Sequence, residues 1–111
     1  MLSKTFAVAI MATFAIGTNA TWCNYYYDAN CQQDSNGGTS FDCANEASFG
    51  GGGNYVQCHS TKGNQQTCII TRCADSTCAN ILNTFEASPE GGSGPCISTG
   101  GSGPWYEQKF A

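Results

Sequence analysis

The most evident chemistry in this 111-residue sequence belongs to its eight cysteines. An even number of cysteines is typical of disulfide bonds in a protein that folds in an oxidising compartment. Zinc ligation is the alternative, but the sequence has no C-x-x-C pair, and its one histidine, His59, directly follows Cys58. We therefore predict four disulfide bonds, whose connectivity the spacing leaves open. The cysteines are Cys23, Cys31, Cys43, Cys58, Cys68, Cys73, Cys78 and Cys96.

An aromatic cluster provides the second set of chemically interesting side chains. Trp22, Tyr25, Tyr26 and Tyr27 place four rings within six residues. Such rings can stack on sugars or form the centre of a protein-binding surface. Alternatively they fill a core that is short of aliphatic side chains. Along a strand, Tyr25 and Tyr27 would share one face and Tyr26 would take the other. We predict these four as candidate binding residues.

Catalysis has few candidates in the sequence. Any acid–base pair must combine the single histidine, His59, with a carboxylate or use two carboxylates. The eight acidic residues are scattered and form no evident glycosidase pair. We therefore expect a protein that is not an enzyme, with no catalytic residues, no metal site and no cofactor. A small hydrolase that depends on His59 or a carboxylate is the alternative.

The first 20 residues have the pattern of a secretory signal peptide. Lys4 supplies the positive charge, residues 6–16 form an apolar run, and Thr18 and Ala20 are the small residues before a cleavage site. The apolar run is too short to span a membrane. We expect a single secreted, extracellular domain over residues 21–111, acting as a monomer.

Charge restricts the partners of this domain. The chain has 4 Lys and Arg against 8 Asp and Glu, a net charge of −4. So few cations cannot follow a phosphate backbone or hold an anionic membrane surface. We expect neither a nucleic-acid partner nor a membrane partner.

The apolar content predicts a small core. Val, Ile, Leu and Phe contribute only ten of residues 21–111, whereas the chain contains 14 glycines. A core of this size is marginal for an independent domain. We expect the disulfide bonds to compensate, each stabilising the fold by about 2–4 kcal/mol.

Alternating and β-branched residues predict a central hairpin over residues 55–73. Its arms flank a glycine-bearing loop at 62–64. In that register Cys58 lies opposite Cys68, so a bridge between them is conceivable, although a slip of one residue would remove it. Residues 21–31 are expected to form a strand that runs into a turn.

Apolar spacing predicts one helix over residues 75–87. Ile81, Leu82 and Phe85 follow Cys78 after three, four and seven residues, the spacing of one helical face. These elements together predict a small, disulfide-rich α+β or mainly β domain with long glycine-rich loops.

Glycine-rich segments complete the prediction. The run at 50–53 lacks the Lys-Ser/Thr of a phosphate-binding loop and is predicted to be a mobile loop. Residues 91–104 are rich in Gly, Ser and Pro and are expected to be flexible or turn-rich, held by Cys96. Residues 105–110 are expected to return as an edge strand.

The combination of signal peptide, small size, acidity and eight cysteines resembles the fungal small secreted cysteine-rich proteins, a class that includes candidate effectors. Hydrophobins differ because they carry adjacent cysteine pairs, and fungal haem-binding CFEM domains differ because their cysteines are closely clustered. The resemblance implies an extracellular effector or virulence protein that binds a host extracellular protein. The alternatives, in order, are a lectin-like module that binds cell-wall polysaccharide, an antimicrobial or killer toxin, and the small hydrolase.

Overall fold

Every regular element that the computed structural model describes is a β-strand. The structure describes residues 21–44, 47–61, 66–101 and 105–111, so the predicted signal peptide lies outside the described residues. The strands are β1 (Thr21–Tyr26), β2 (Phe41–Asp42), β3 (Phe49–Gly50), β4 (Tyr55–Ser60), β5 (Cys68–Cys73), β6 (Ile81–Ala87), β7 (Ile97–Ser98) and β8 (Trp105–Phe110).

The strands form two antiparallel four-stranded sheets. Sheet A has the order β2-β1-β4-β7, and sheet B has the order β3-β8-β5-β6. The chain therefore divides into two halves, β1–β4 and β5–β8, that follow the same plan. Each half contributes its first, second and fourth strands to one sheet and its third strand to the other. Each sheet is thus completed by a strand from the opposite half.

The core lies between the sheets and follows from the alternation of side chains along their strands. On β1, Cys23 and Tyr25 are fully buried, and on β5, Cys68 and Ile70 are fully buried. Tyr106 of β8 belongs to the same buried cluster. Both sheets therefore direct one face to a common core.

Aromatic rings supply much of the volume that aliphatic side chains lack in this core. The Tyr25 ring lies 4.8 Å from that of Tyr106 and 5.4 Å from that of Phe49, between centroids. Phe41 stacks on Phe49 at 3.7 Å. The Tyr25 hydroxyl donates to Gln108 Oε1 at 2.6 Å, and Gln108 Nε2 donates to the Phe41 carbonyl oxygen at 2.9 Å. Buried polar groups here satisfy one another, which avoids the cost of desolvating them unpaired.

The glycine run at 50–53 lets the chain pass close to the aromatic cluster. A Cβ at Gly52 would lie 2.0 Å from the Tyr106 ring, and a Cβ at Gly53 would lie 2.1 Å from the Tyr26 carbonyl oxygen. The Tyr106 hydroxyl also donates to the Gly53 carbonyl oxygen at 2.8 Å. The run is therefore a packing feature, whereas the sequence predicted a mobile loop.

All eight cysteines are paired, which confirms the predicted four disulfide bonds. Two bonds lie side by side in the core, with Cys23 Sγ and Cys43 Sγ 3.6 Å apart. Cys23–Cys58 joins β1 to β4 within sheet A, whereas Cys43–Cys68 joins the residue after β2 to sheet B. The remaining bonds are Cys31–Cys96 and Cys73–Cys78.

The first loop of each half repeats one hydrogen-bond pattern. Asp28 and Asp75 each lie two residues after a strand and begin an Asp-x-x-Cys sequence. Cys31 and Cys78, which end these sequences, have φ values of 52° and 55°, and each donates its N–H to the carbonyl oxygen of its Asp. Each carboxylate accepts further backbone N–H bonds four and five residues along the chain. These bonds lower the pKa of Asp28. A Thr77 hydroxyl bond, with the backbone bonds, lowers the pKa of Asp75 to about 2.

The predicted hairpin over residues 55–73 is wrong in its pairing. β4 pairs with β1 and β7 in sheet A, whereas β5 pairs with β6 and β8 in sheet B. Cys58 and Cys68 consequently belong to different disulfide bonds. The predicted loop at 62–64 lies outside the described residues. An isolated hairpin is marginal in water, and each strand instead gains two partners. β4 pairs with β1 and β7, which are both distant in sequence, whereas β5 pairs with distant β8 and with β6, the next strand along the chain.

The predicted helix over residues 75–87 is also wrong, because residues 74–80 form a disulfide-closed loop and the rest forms β6. Along β6, Phe85 lies on the core side, whereas Ile81 and Leu82 are 61% and 48% exposed. The ladder with β5 pairs one side of the backbone from Ile81 to Ala87. The left-handed Cys78 interrupts any helix at its start.

The first and the last described segments both form strands. Residues 21–26 form a strand, which confirms that prediction. Residues 105–110 also form a strand, but it lies between β3 and β5 rather than at an edge. The sequence of this segment does not by itself indicate its two partners, β3 and β5.

Candidate functional site

The outer face of sheet A carries three opposed pairs of large side chains on its two central strands. We call these six residues the ladder face. They pair as Trp22 with His59, Asn24 with Gln57, and Tyr26 with Tyr55. All six side chains are half-buried. The face therefore presents an aromatic pair at each end and an amide pair between them.

Strand alternation places the ladder outside because the intervening residues fill the core. Cys23 and Tyr25 on β1, and Val56 and Cys58 on β4, are buried. Cys23 and Cys58 are direct partners in the ladder of hydrogen bonds and are also joined by a disulfide bond. A slip of one residue would turn the six side chains inward. The disulfide bond excludes that slip.

The first pair is held by ring stacking and one hydrogen bond. The Trp22 and His59 rings are stacked at 5.9 Å between centroids, with an angle of 28° between their planes. His59 Nδ1 lies 2.9 Å from Ser93 Oγ, a hydrogen bond that orients the imidazole beside the indole. Partial burial lowers the pKa of His59. The imidazole is therefore neutral at neutral pH, and the pair presents an uncharged aromatic surface.

The amide pair is oriented by hydrogen bonds to neighbouring loops. Asn24 Nδ2 donates to the Thr39 carbonyl oxygen at 3.1 Å and to Ser40 Oγ at 2.9 Å. Gln57 Nε2 donates to the Gly94 carbonyl oxygen at 2.9 Å. Within the described part of the chain, no hydrogen bond engages Asn24 Oδ1 or Gln57 Oε1. Asn24 thus has both of its amide N–H donors in use and Gln57 has one of two, while both acceptor oxygens are available.

The third pair lies beside acidic side chains. Tyr26 of β1 also forms a β-bridge with Asp34. Burial raises the pKa of Tyr26, and the carboxylates of Asp34 and Asp28 add to the shift. The phenol therefore remains protonated and can donate a hydrogen bond. Tyr55, its partner on β4, is likewise partly exposed.

The ladder face has the length of an extended binding platform. Trp22 and Tyr26 are four residues apart on one strand, about 13 Å at roughly 3.3 Å per residue. The adjacent strand, which carries Tyr55 and His59, lies about 4.8 Å away. Rings at both ends of such a surface can contact separate units of one linear ligand.

The structure distributes the four predicted binding residues among three environments. Trp22 and Tyr26 belong to the ladder face, whereas Tyr25 is fully buried in the core. Burial raises the pKa of Tyr25 well above its ordinary value. Tyr27 lies just beyond the end of β1 and is 60% exposed. Its hydroxyl lies 3.5 Å from the Ser35 carbonyl oxygen.

Sequence reasoning missed the β4 contribution to the site. Tyr55, Gln57 and His59 share a strand face, which the sequence already indicates by their spacing of two. What the sequence lacked was the pairing partner, because the predicted hairpin assigned β4 to β5. Pairing with β1 is what brings His59 to Trp22.

A second polar cluster, made of sulfur atoms, is already occupied by covalent bonds. The Sγ atoms of Cys23, Cys43 and Cys68 lie within 4.8 Å of one another. All three atoms are in disulfide bonds. The cluster is therefore structural, and its Cys43–Cys68 bond links the two sheets through the core.

The fold and the disulfide bonds define the class of this protein. Four disulfide bonds in a small two-sheet domain are typical of extracellular proteins. No family model, curated protein or solved structure matches the chain. In the portions that the structure describes, no helix is long and apolar enough to cross a membrane. The ladder face is the main guide to function.

Proposed function

We propose that this chain is an extracellular protein that binds a cell-wall polysaccharide through the ladder face. The observation that carries the proposal is the alignment of two aromatic pairs around one amide pair on neighbouring strands. It keeps the chain in the secreted cysteine-rich class that its sequence resembles, with a polysaccharide rather than a host protein as its target.

The chemistry of the six residues suits a sugar polymer. Ring faces such as those of Trp22 and Tyr26 cover the apolar faces of sugar rings while leaving polar edges wet. The oriented amide oxygens of Asn24 and Gln57 can accept hydrogen bonds from hydroxyl groups. The protein pre-orients these amides through their own donors, which lowers the entropy lost on binding.

The test is co-sedimentation of the secreted protein with insoluble chitin and β-glucan. Trp22→Ala and Tyr55→Ala should each weaken the affinity about two- to tenfold, because each removes one aromatic contact. Ile69→Ala is the matched control, since Ile69 occupies the position in sheet B that Trp22 occupies in sheet A. Retention of binding in both ladder variants would refute the proposal, provided that thermal unfolding shows that all variants are folded.

A second candidate function, capture of a host protein, is favoured by an exposed apolar pair. Ile81 and Leu82 are 61% and 48% exposed at the start of edge strand β6. Exposed apolar side chains on an edge strand are a frequent docking surface for a protein partner. Ile81→Ser together with Leu82→Ser should then abolish capture of a defined protein from host extracellular fluid. Trp22→Ala should leave that capture unchanged.

A further inference from the structure

The ladder face offers hydrogen-bond acceptors in preference to donors at its centre. Three of the four side-chain amide N–H groups of Asn24 and Gln57 are used by loop oxygens, whereas both carbonyl oxygens are left for a ligand. A ligand that supplies N–H or O–H donors fits these oxygens. A ligand whose main groups are acceptors, such as a carboxylate polymer, does not fit them.

Carboxylates flank the ladder at both of its ends. Asp42 on β2 lies directly opposite Trp22, and paired residues of neighbouring strands share one face of the sheet. Asp34 lies beside Tyr26 at the other end and is exposed. The two carboxylates are therefore separated along the strands in the same way as the two aromatic pairs.

The described lysine and arginine residues lie on the other sheet. Arg72 is on β5 and Lys109 is on β8, both in sheet B. Lys62 lies outside the described residues. The ladder face thus combines flanking negative charge with aromatic rings, whose faces also attract cations.

We infer that the polysaccharide bound by the ladder face is a cationic amino-sugar polymer, a glucosamine chain such as deacetylated chitin. This inference rests on the proposed function. The sugar faces stack on the aromatic pairs, the ammonium groups lie near Asp34 and Asp42, and the ring hydroxyls donate to the amide oxygens. A basic protein segment would share the charge but would not need the stacked rings.

The experiment measures binding of soluble oligomers to the intact secreted protein by calorimetry at mildly acidic pH. Hexamers of glucosamine, N-acetylglucosamine, glucose and galacturonic acid, all in 1,4 linkage, are compared with oligolysine. The glucosamine hexamer should bind three- to tenfold more tightly than its acetylated counterpart, the range expected from two exposed charge contacts. The difference should shrink as salt rises from about 0.05 M to about 0.5 M.

Charge-neutral variants test whether Asp34 and Asp42 account for the preference for the glucosamine hexamer. Asp34→Asn with Asp42→Asn should lower the affinity for the glucosamine hexamer to that for the acetylated hexamer. Glu86→Gln is the matched control, because Glu86 is an exposed carboxylate on edge strand β6 of sheet B. It should change neither affinity.

The outcomes separate this inference from the proposed function. Equal, salt-independent binding of both hexamers that is lost in Trp22→Ala would overturn the inference and leave the proposed function standing. Oligolysine binding as tight as the glucosamine hexamer, or glucosamine binding that Trp22→Ala leaves intact, would reduce the interaction to charge alone and overturn the inference. Absence of binding to every polysaccharide would overturn both.

Discussion

Sheets A and B share one register at their centres and differ in what they present to solvent. β1 pairs with β4 as β5 pairs with β8, so each position of the ladder has a counterpart on sheet B. The pair Trp22 and His59 corresponds to Ile69 and Lys109. Stacked aromatic rings on one sheet thus correspond to an aliphatic and a basic side chain on the other.

The middle pair differs in the same way. Asn24 and Gln57 correspond to Thr71 and Glu107. Thr71 Oγ1 lies 3.4 Å from the Thr84 hydroxyl of β6, so this polar group is directed to its own sheet. The two sheets thus share one backbone plan, whereas the proposed binding residues are a few outward side chains of sheet A.

The largest expected effect concerns the covalent bond between the two sheets. Replacing both Cys43 and Cys68 by Ala should lower the free energy of unfolding by about 3–4 kcal/mol, and replacing Cys73 and Cys78 by about 2 kcal/mol. The reason is chain entropy, because the bonds close sequence separations of 25 and 5 residues. Urea unfolding of both variants measures the difference. Equal losses of unfolding free energy would show that the Cys43–Cys68 bond stabilises the protein no more than the Cys73–Cys78 bond does.

A smaller loss of stability is expected at Gly52, where the first half of the chain packs on β8. Gly52→Ala should destabilise the protein by about 1–3 kcal/mol, because its Cβ would overlap the Tyr106 ring. Gly92→Ala is the control, since nothing lies within 4 Å of a Cβ at that position. If the thermal unfolding midpoint is the same for both variants, the close approach of the glycine run to Tyr106 is not needed for stability.

Exchanging the Trp22–His59 pair with its counterpart on sheet B tests whether the outward side chains of sheet A account for binding. Trp22→Ile with His59→Lys should weaken polysaccharide binding about two- to tenfold, because the stacked rings contribute about 0.5–1.5 kcal/mol. The reciprocal change, Ile69→Trp with Lys109→His, should leave the ladder face and its affinity intact. Co-sedimentation measures both. Loss of binding in the reciprocal variant instead would move the binding surface to sheet B.

The smallest effect is expected at the two equivalent aspartates. The folded-state pKa values of Asp28 and Asp75 lie below the ordinary 3.8, so their stabilising contribution is present above that pH. It is lost as the pH falls through the folded-state value, about 2 for Asp75. Asp28→Asn and Asp75→Asn should each lower Tm slightly at neutral pH and weaken its dependence on pH between about 4 and 2. An unchanged acid dependence would assign acid sensitivity to other carboxyl groups.

Local features of this fold could be predicted from the sequence. The even number of cysteines predicts disulfide bonds because a small apolar core needs covalent support. The alternation of side chains with a period of two residues identifies β1 and β4 as strands with one buried face each. The same period already assigns Tyr25 and Tyr26 to opposite faces, although it does not say which face is buried.

Long-range pairing could not be predicted in the same way. β4 and β5 are adjacent in sequence but belong to different sheets, because β4 pairs with distant β1 and β7 whereas β5 pairs with β6 and distant β8. The segment that contains Ile81 and Leu82 has apolar residues at helical spacing. It forms a strand because it pairs with β5, and this pairing is not evident from the segment's own sequence. The repeated Asp-x-x-Cys sequence at Asp28 and Asp75 was a usable signal. It marks equivalent loops and hence a two-half plan.

The exchange of third strands sets the order in which this protein can be completed during synthesis. Sheet A receives β7, and Cys31 receives its partner Cys96, only after nearly the whole chain has been made. Before the second half has been made, sheet A therefore lacks its edge strand β7, and Cys31 and Cys43 lack their partners Cys96 and Cys68. Of the four cysteines in the first half, only Cys23 and Cys58 are partners of each other. A chain that ends before Cys96 would consequently contain Cys31 without its native partner and sheet A without one edge strand.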